Sequence, residues 1–335
     1  MNINNINPWH DNEWGRLQSL RKRLPNGLLF KGGQGIGKLD LALRYAQSLL
    51  CESPNGSQFA CGACLSCHWF SQGSHPDFRF LQPEILSEGG GVKPASGKKP
   101  SKQISVNKIR GLSDFFGMTA HQGGKRVLIL HPAEAMNTNA ANALLKNLEE
   151  PPQDLLIILV SHKPQQLLPT ILSRCQSFAI STPDATSAIR WLKEQGVAEP
   201  DKAFAASGFS PLLALQLAEQ VSSDERKKLL RAVSQPDTLD AFSLSETLQK
   251  TEQVLVVQWM QQWCYDMTAI KMAGRLRYHP GEESAITKLV KPVSALNLSR
   301  LQSYLKTAKR ESQHTLNPKL FFESLLLTYR QLMTE

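Results

Sequence analysis

Short apolar runs alternate with helical stripes over the first half of the chain. The run at residues 27–31 suits a buried strand, and a Gly-rich turn and an amphipathic helical stripe over residues 39–50 follow it. Strands alternating with helices indicate a parallel sheet that is covered on both faces. The other apolar runs predict strands at residues 78–81, 127–130, 155–160 and 178–180, and the helical stripes predict helices at residues 106–116 and 139–149.

The pattern changes near residues 181–183, and no strong strand signal follows. Three short helices are predicted at residues 185–195, 201–207 and 211–219, and longer helices, such as 254–271 and 319–333, dominate beyond residue 222. The sequence therefore predicts three domains. They are an α/β domain over residues 1–181, a small three-helix domain over residues 182–221 and an all-α domain over residues 222–335.

Composition agrees with a folded protein of two or three domains. The chain has 335 residues, of which 41% are hydrophobic, and none of its apolar runs approaches the roughly 20 residues that a bilayer span requires. The first 14 residues are polar and carry Asp11 and Glu13, so they lack the features of a secretory signal. We expect a cytoplasmic protein with no membrane partner.

The charge balance favours anionic partners. The formal net charge is +9, which suits nucleic acid but equally fits a basic soluble protein with flexible lysines. Residues 93–102 contribute four lysines among Gly, Pro and Ser, and they are predicted to form a mobile loop. This loop could contact DNA phosphates, although a solvated insertion is the favoured interpretation.

A phosphate-binding motif follows the first strand. Gly32, Gly35, Gly37 and Lys38 belong to a G-x-x-x-x-G-K sequence between a predicted strand and a predicted helix. Glycines let backbone N–H groups turn toward a phosphate, and Lys38 would add a point charge. The next position normally holds a Ser or Thr hydroxyl that binds Mg²⁺, but here it is Leu39, which cannot.

A second support for Mg²⁺ is also missing. The predicted strand at residues 127–130 runs into His131-Pro132 instead of an acidic residue, and Glu134 lies too far along to replace it. Loss of both supports argues against turnover. The loop is then either a relic turn or a nucleotide-binding site without hydrolysis, and an active ATPase is the least favoured of the three interpretations.

Four clustered cysteines predict a structural metal site. Four thiolates in one short segment suit tetrahedral Zn²⁺ and leave no open coordination position. An iron–sulfur motif would need a further cysteine where Ser71 stands, while His68 and His75 are rival ligands that we rank below the thiolates. Cys175 and Cys264 stand alone and are predicted to be ordinary thiols. The predicted ligands are Cys51, Cys61, Cys64 and Cys67.

These motifs occur in an order that resembles one known family. Residues 142–152 read Asn-Ala-Leu-Leu-Lys-Asn-Leu-Glu-Glu-Pro-Pro and residues 172–175 read Leu-Ser-Arg-Cys, as in clamp-loader ATPases of the AAA+ class. The four-cysteine insert and the altered phosphate loop make the chain similar to the delta-prime family of bacterial DNA polymerase III clamp-loader subunits over nearly its whole length. The further segments that carry the resemblance are Pro8-Trp9, Trp14, residues 23–29 and His75-Pro76-Asp77.

The resemblance implies a fold, a set of partners and one reactive residue. The fold would be an AAA+-like α/β domain followed by a helical lid and a helical collar. The partners would be the gamma/tau motor subunit and the delta subunit in a pentameric ring, with a sliding clamp and primer–template DNA contacted through the complex. Arg174 would be an arginine finger, acting in trans on ATP held by the motor subunit. Without the resemblance, Arg174 is a surface arginine or one paired with a carboxylate.

Three functional hypotheses remain open at this point. The favoured one is a hydrolysis-deficient clamp-loader subunit within the DNA polymerase III holoenzyme, and the alternatives are a DNA-stimulated ATPase with weak turnover of its own and a zinc-dependent nucleic-acid-binding module. The predicted lid segment at residues 208–214 lacks the arginine that senses nucleotide in related motors, which counts against turnover. Glu149 and Glu150 are predicted at a helix C-terminus, where the dipole disfavours them, so they either meet a basic group from outside or are solvated.

Overall fold

The computed structural model describes residues 7–87, 100–121, 124–219, 223–312, 314 and 316–334. Most of the predicted lysine-rich loop at residues 93–102 therefore lies outside the described residues. The chain divides into two compact units, Met1–Asp184 and Ala185–Glu335. The finer division of the second unit into lid and collar stays a prediction.

The first unit contains a parallel five-stranded sheet. All five predicted strands are present, with ends that differ from the prediction by a few residues at most. The strands are β1 Gly27–Lys31, β2 Phe78–Leu81, β3 Arg126–Leu130, β4 Leu155–Ser161 and β5 Gln176–Ala179. Their order in the sheet is β2-β3-β4-β1-β5, and every neighbouring pair is parallel.

Helices cover both faces of this sheet. Side chains along a strand alternate between the two faces, so one strand contributes to both cores. Leu28 and Phe30 of β1 pack in one core cluster, and Leu29 packs in another on the opposite face. The α/β prediction with a covered parallel sheet is therefore confirmed. The helices of this unit are α1 Asp11–Leu20, α2 Lys38–Leu50, α3 Leu65–Ser71, α4 Val106–Arg110, α5 Ser113–Gly117, α6 Thr138–Glu149 and α7 Pro169–Arg174.

One predicted helix is divided in two. The apolar spacing predicts one continuous helix over residues 106–116, but α4 ends at Arg110 and α5 begins at Ser113. The N–H of Gly111 closes the last turn on the Asn107 carbonyl at 2.9 Å, and Leu112 then leaves helical geometry with φ −96° and ψ 7°. Glycine weakens a helix interior, and the bend lets Leu112 reach the core.

All regular elements in the described residues of the second unit are helices, as the sequence predicts. A 21-residue helix, Gln253–Ala273, is followed by Gly274, whose φ of 62° lies in the left-handed region and terminates the helix. Among the described residues, no helix combines the length and the hydropathy needed to cross a bilayer. The helices are α8 Ala185–Glu194, α9 Pro200–Ala206, α10 Pro211–Glu219, α11 Ser223–Val233, α12 Ala241–Leu248, α13 Gln253–Ala273, α14 Glu283–Val290, α15 Ala295–Glu311 and α16 Pro318–Thr334.

Two core clusters fill the second unit. A small one joins α8, α9 and α10 through Ala188, Leu192, Phe204 and Ala214. A much larger one surrounds α13, whose buried residues include two tryptophans. The first three helices thus have a small core of their own, which agrees with the pattern that separated residues 182–221 from the longer helices.

Candidate functional site

The predicted phosphate loop connects β1 to α2. Gly35 and Gly37 have φ values of 73° and 86°, in the left-handed region where glycine is the favoured residue. A Cβ on Gly37 would overlap the Asn7 side chain and approach Cε1 of His10 to 2.8 Å. The loop therefore has the glycine-dependent turn that the motif predicts, and the segment at residues 7–10 lies against it.

Lys38 points into the protein. Only 2% of the residue is exposed, and its Nζ donates a hydrogen bond to the carbonyl of Gly33 in the same loop. Burial lowers the pKa of Lys38 to about 8, while the nearby Glu134 carboxylate opposes the shift. The neighbouring Leu39 packs against the apolar core beneath the loop. The cation is therefore satisfied by its own loop.

Two histidines follow the strands beside this loop. His131 comes directly after β3 and His162 directly after β4, and their ring centroids lie 5.2 Å apart in an edge-to-face arrangement. Burial, reinforced by the Lys38 cation, lowers the pKa of each imidazole to about 4. Both rings are therefore neutral near pH 7. Mg²⁺ prefers oxygen ligands, so these rings are poor replacements for the usual carboxylate.

Two other polar side chains at this edge of the sheet accept hydrogen bonds from the backbone. Glu134, which the sequence leaves off the strand end, accepts a hydrogen bond through Oε1 from the N–H of His162 at 3.0 Å. Ser161, the last residue of β4, is fully buried, and its Oγ accepts from the N–H of Lys163 at 3.2 Å. Ser161 thus stabilises the turn after its own strand, whereas Glu134 connects the segment after β3 to the segment after β4.

The N-terminal segment closes over the phosphate loop, which the sequence does not reveal. Trp9 donates from Nε1 to the Ile36 carbonyl at 3.0 Å, and Asn7 donates from Nδ2 to Oδ2 of Asp40 at 3.4 Å. In the sequence, the Pro8-Trp9 pair contributes to the family resemblance and gives no indication of this contact. A contact across 27 residues leaves no local signal in the pattern of apolar positions.

The four predicted cysteine ligands come together where α2 ends and α3 begins, with Cys67 in the first turn of α3. Their Sγ atoms all lie within 4.8 Å of one another, and those of Cys51 and Cys64 are 3.9 Å apart. A tetrahedral site with Zn–S bonds of about 2.3 Å has sulfur–sulfur separations of about 3.8 Å. The segment at residues 51–67 therefore fits a metal ion with four thiolate ligands.

Local electrostatics also suit metal binding. Backbone N–H groups, that of Ala63 first and that of Cys64 next, lower the pKa of the exposed Cys61 thiol to about 6. Burial instead raises the pKa of Cys51 and of Cys67. The thiolate is the form that binds metal, and a bound cation would compensate the buried negative charge.

The two rival histidines have other partners. Nδ1 of His75 accepts from the N–H of Asp77 at 3.0 Å, so Nε2 carries the proton and bonds to Oγ of Ser66 at 2.8 Å. His68 is exposed, and its Nε2 lies 3.0 Å from Nε2 of Gln72. Neither imidazole belongs to the group of possible metal ligands among the described residues. The preference for four cysteines is therefore supported.

The cysteine segment is attached to the first helix by an aromatic contact. Trp14 of α1 stacks on Phe59, with ring centroids 4.5 Å apart and planes 6° from parallel. Its Nε1 also donates to the carbonyl of Ser57 at 3.2 Å. The predicted metal module is thus packed onto α1 through a residue outside the cysteine motif.

Arg174 is the last residue of α7, and only Cys175 separates it from β5. Its Nη2 lies 2.7 Å from Oε1 of Glu149, and its Nη1 donates to the Thr170 carbonyl at 3.1 Å and to Oγ of Ser173 at 3.3 Å. The Arg174 side chain is 36% exposed and that of Glu149 is 47% exposed. The sequence left the partner of Glu149 open, and in this structure the partner comes from the same chain.

The phosphate loop and Arg174 lie at opposite edges of the sheet. The loop follows the carboxyl end of β1, whereas Arg174 and Cys175 precede the amino end of β5, which pairs with β1 in parallel. A Cβ on Gly27, at the start of β1, would lie 3.1 Å from the carbonyl oxygen of Arg174. One strand therefore separates the chain's own phosphate motif from the predicted arginine finger.

Comparisons with known proteins agree on one family. A family model described as DNA polymerase III, delta subunit, matches residues 15–184. DNA polymerase III subunit delta' of Pseudomonas aeruginosa is 34% identical to this chain, over 98% of both proteins. The protein of the same name from Escherichia coli K12 is 30% identical, over 84% of this chain and 80% of its own length.

Solved structures are less similar. A DNA polymerase III gamma subunit-related protein from Thermotoga maritima is 18% identical, with a TM-score of 0.42 over 95% of this chain and 99% of its own. The RuvB Holliday junction branch migration motor of the same organism is 14% identical, with a TM-score of 0.40 over 89% and 86%. Sequence similarity along the whole chain is the decisive result, and the chain belongs to the delta-prime family of DNA polymerase III subunits.

Proposed function

We propose that this chain is a non-hydrolysing subunit of a clamp loader for DNA replication, and that it supplies Arg174 to ATP bound by an adjacent motor subunit. The observation that carries the proposal is the exposed guanidinium of Arg174, which is held at the sheet edge opposite the chain's own phosphate loop. A group at that edge can reach a site on a neighbouring chain in a head-to-tail ring.

The chemistry required of Arg174 is electrostatic. Negative charge spreads over the γ-phosphate oxygens as the terminal phosphoryl group transfers to water, and a guanidinium stabilises that charge. Arginine suits this role because it stays protonated and presents several N–H donors in a planar fork. Part of that fork is used by Glu149, Thr170 and Ser173, and the side chain keeps solvent access.

The chain's own phosphate loop supports the absence of turnover. Leu39 stands where a metal-binding hydroxyl is needed, and neutral His131 follows the strand that would carry the acid. Lys38 donates to the loop carbonyl of Gly33 and has a lowered pKa, so it is a weakened anchor for a phosphate. We infer that the loop retains its turn and has lost hydrolysis.

The four-cysteine cluster is proposed to hold a structural Zn²⁺. Four thiolates at tetrahedral spacing favour zinc and leave no coordination position for a substrate. The metal would hold together residues 51–67, a segment whose described residues contain little regular structure before α3. Its contribution is then to folding, and to the surface that this segment presents.

The proposed partners follow from the family. They are the gamma/tau motor subunit and the delta subunit, with the sliding clamp and primer–template DNA engaged through the complex. Direct DNA contacts by this chain are not part of the proposal, because most of the lysine-rich segment lies outside the described residues.

The central experiment is reconstitution with the motor and delta subunits. Wild-type chain and Arg174→Ala are compared for assembly, DNA-stimulated ATPase and clamp loading. We call the ATP site of the motor subunit that would receive Arg174 the served site. We expect normal assembly with Arg174→Ala and a large loss of ATP turnover at the served site, because the transition state there lacks a cation. Full clamp loading by Arg174→Ala would refute the proposed role of Arg174 as an arginine finger.

A second assay addresses the alternative of weak intrinsic turnover. The isolated chain is tested for ATP hydrolysis with and without DNA, alongside a Lys38→Met variant that has lost the motif's cation. We expect no turnover above background for either protein. Hydrolysis by the wild-type chain that disappears in Lys38→Met would instead establish an ATPase.

A further inference from the structure

Two helix C-termini meet at the site of Arg174. Arg174 ends α7 and Glu149 ends α6. The partial negative charge at a helix C-terminus favours an arginine and disfavours a carboxylate. Glu149 is thus in an unfavourable position by itself, and the guanidinium of Arg174 compensates it.

Both terminal nitrogens of the Arg174 guanidinium make contacts within the chain. Nη2 pairs with Oε1 of Glu149 at 2.7 Å, while Nη1 bonds to the Thr170 carbonyl and to Oγ of Ser173. Thr170 and Ser173 belong to α7 itself, so Glu149 is the acceptor that ties the side chain to another element. Within the described part of the chain, these three contacts use Nη1 and Nη2 of Arg174 and leave its Nε out.

The packing below fixes the distance between the two helix ends. Leu148 and Ile171 are buried in the same core cluster, and Cys175 is buried beside them. A Cβ on Gly27 would lie 2.9 Å from Cδ2 of Leu148 and 3.1 Å from the carbonyl oxygen of Arg174. The helix ends can approach this closely because β1 begins with a glycine.

From this geometry we propose that Glu149 is a positioning residue for Arg174, an inference that rests on the proposed function. The carboxylate restricts a long and flexible side chain before the neighbouring ATP arrives. Ordering a group in advance lowers the barrier to reaction, since the order need not be gained in the transition state. Glu149 therefore acts on turnover and leaves ATP binding unchanged.

The first test replaces only the charge. Glu149→Gln is compared with Glu150→Gln. Glu150 is the next residue in the chain and its side chain is also exposed, so this variant is a matched control. In the reconstituted complex we expect Glu149→Gln to lower kcat at the served site by about three- to fivefold, the range of an exposed ion pair, with the KM for ATP unchanged. Glu150→Gln should match the wild type. An unchanged or higher kcat for Glu149→Gln contradicts the positioning role.

The second test asks whether Glu149 acts through Arg174. The double variant Glu149→Gln with Arg174→Ala should have the same kcat as Arg174→Ala alone, because no guanidinium remains to be oriented. A further fall in the double variant would mean that Glu149 supports the fold or another group, and would overturn the inference. Assembly and thermal unfolding are measured for every variant.

The two proposals fail in different ways. If Arg174→Ala lowers turnover but Glu149→Gln does not, the finger stands and the positioning role is wrong. If Arg174→Ala has no effect on turnover or clamp loading, the proposed function itself is wrong, and the positioning role is wrong with it.

Discussion

The two edges of the parallel sheet use their cations in opposite ways. At the carboxyl edge, Lys38 is 2% exposed and donates to a carbonyl of its own loop. At the amino edge, the Arg174 side chain is 36% exposed and pairs with Glu149 at the surface. The buried cation of Lys38 stabilises its own loop, whereas the exposed cation of Arg174 remains accessible to a partner.

The difference suggests how one reaction can be divided between chains. In a head-to-tail ring, the surface that receives a neighbour and the surface offered to the next one are different faces of the subunit. A chain can then lose its own hydrolytic residues at one edge and still contribute at the other. The proposed function requires only that the amino edge of the sheet keeps its geometry.

The largest expected effect comes from removing each of the two cations in turn. Arg174→Ala should lower turnover at the served site by about 10³- to 10⁵-fold, whereas Lys38→Met should change it by no more than about twofold. The measurement is DNA-stimulated ATPase of the reconstituted complex under single-turnover conditions. A similar loss in both variants would mean that both edges take part in catalysis and would remove the contrast.

Metal loss should have the next largest effect, on stability. Cys64→Ser removes one ligand of four, so we expect loss of the bound zinc and a fall of several kcal/mol in the stability of the first unit. Elemental analysis and thermal denaturation provide the measurements. Cys175→Ala, at a lone buried thiol, should keep its zinc. Full zinc content in Cys64→Ser would require a different ligand set.

Gly27→Ala tests the packing beneath Arg174. The added methyl group meets Leu148, Cys175 and the Arg174 carbonyl at 2.9–3.1 Å, so we expect the free energy of unfolding to fall by about 1–3 kcal/mol. Denaturant titration measures the change. Gly15→Ala is the control, since nothing lies within 4 Å of its Cβ and alanine favours helix α1. Equal stability of both variants would show that the amino edge tolerates separation of its helices.

The smallest expected effect is a pH dependence at the carboxyl edge. The pKa values of His131 and His162 fall from 6.5 to about 4 on folding, so between these values the unfolded chain binds more protons than the folded one. Stability should therefore decrease as the pH falls from 6.5 toward 4. Allowing for partial exposure, the pair should contribute about 1 kcal/mol. Replacing both with Asn should flatten this part of the stability profile, and an unchanged profile would place the acid sensitivity elsewhere.

Local patterns were sufficient for the sheet and for the cysteine cluster. Buried strands give continuous apolar runs, such as residues 155–160, and four cysteines within 17 positions are brought together by one short segment. The helix break at Gly111 was missed because the apolar spacing continues through Leu112. Periodicity detects the buried face of a helix, and it does not detect a bend that keeps that face buried.

Contacts between distant residues were beyond the sequence pattern. His131 and His162 meet because β3 and β4 are neighbours in the sheet, which becomes clear only once the strand order is known. Arg174 and Glu149 are 25 positions apart and meet because two helices end beside Gly27. The resemblance implied a role for Arg174 and included Glu149 in a motif, but it did not pair the two side chains.

The stacking of Trp14 on Phe59 has a practical consequence. An indole packed on a ring within the cysteine segment, with its N–H bonded to Ser57, senses any loosening of that segment. Its fluorescence emission should shift to longer wavelength when the ring becomes exposed to water. The difference in emission between the parent protein and a Trp14→Phe variant would give an optical signal for the module, readable without labels during chelation or assembly.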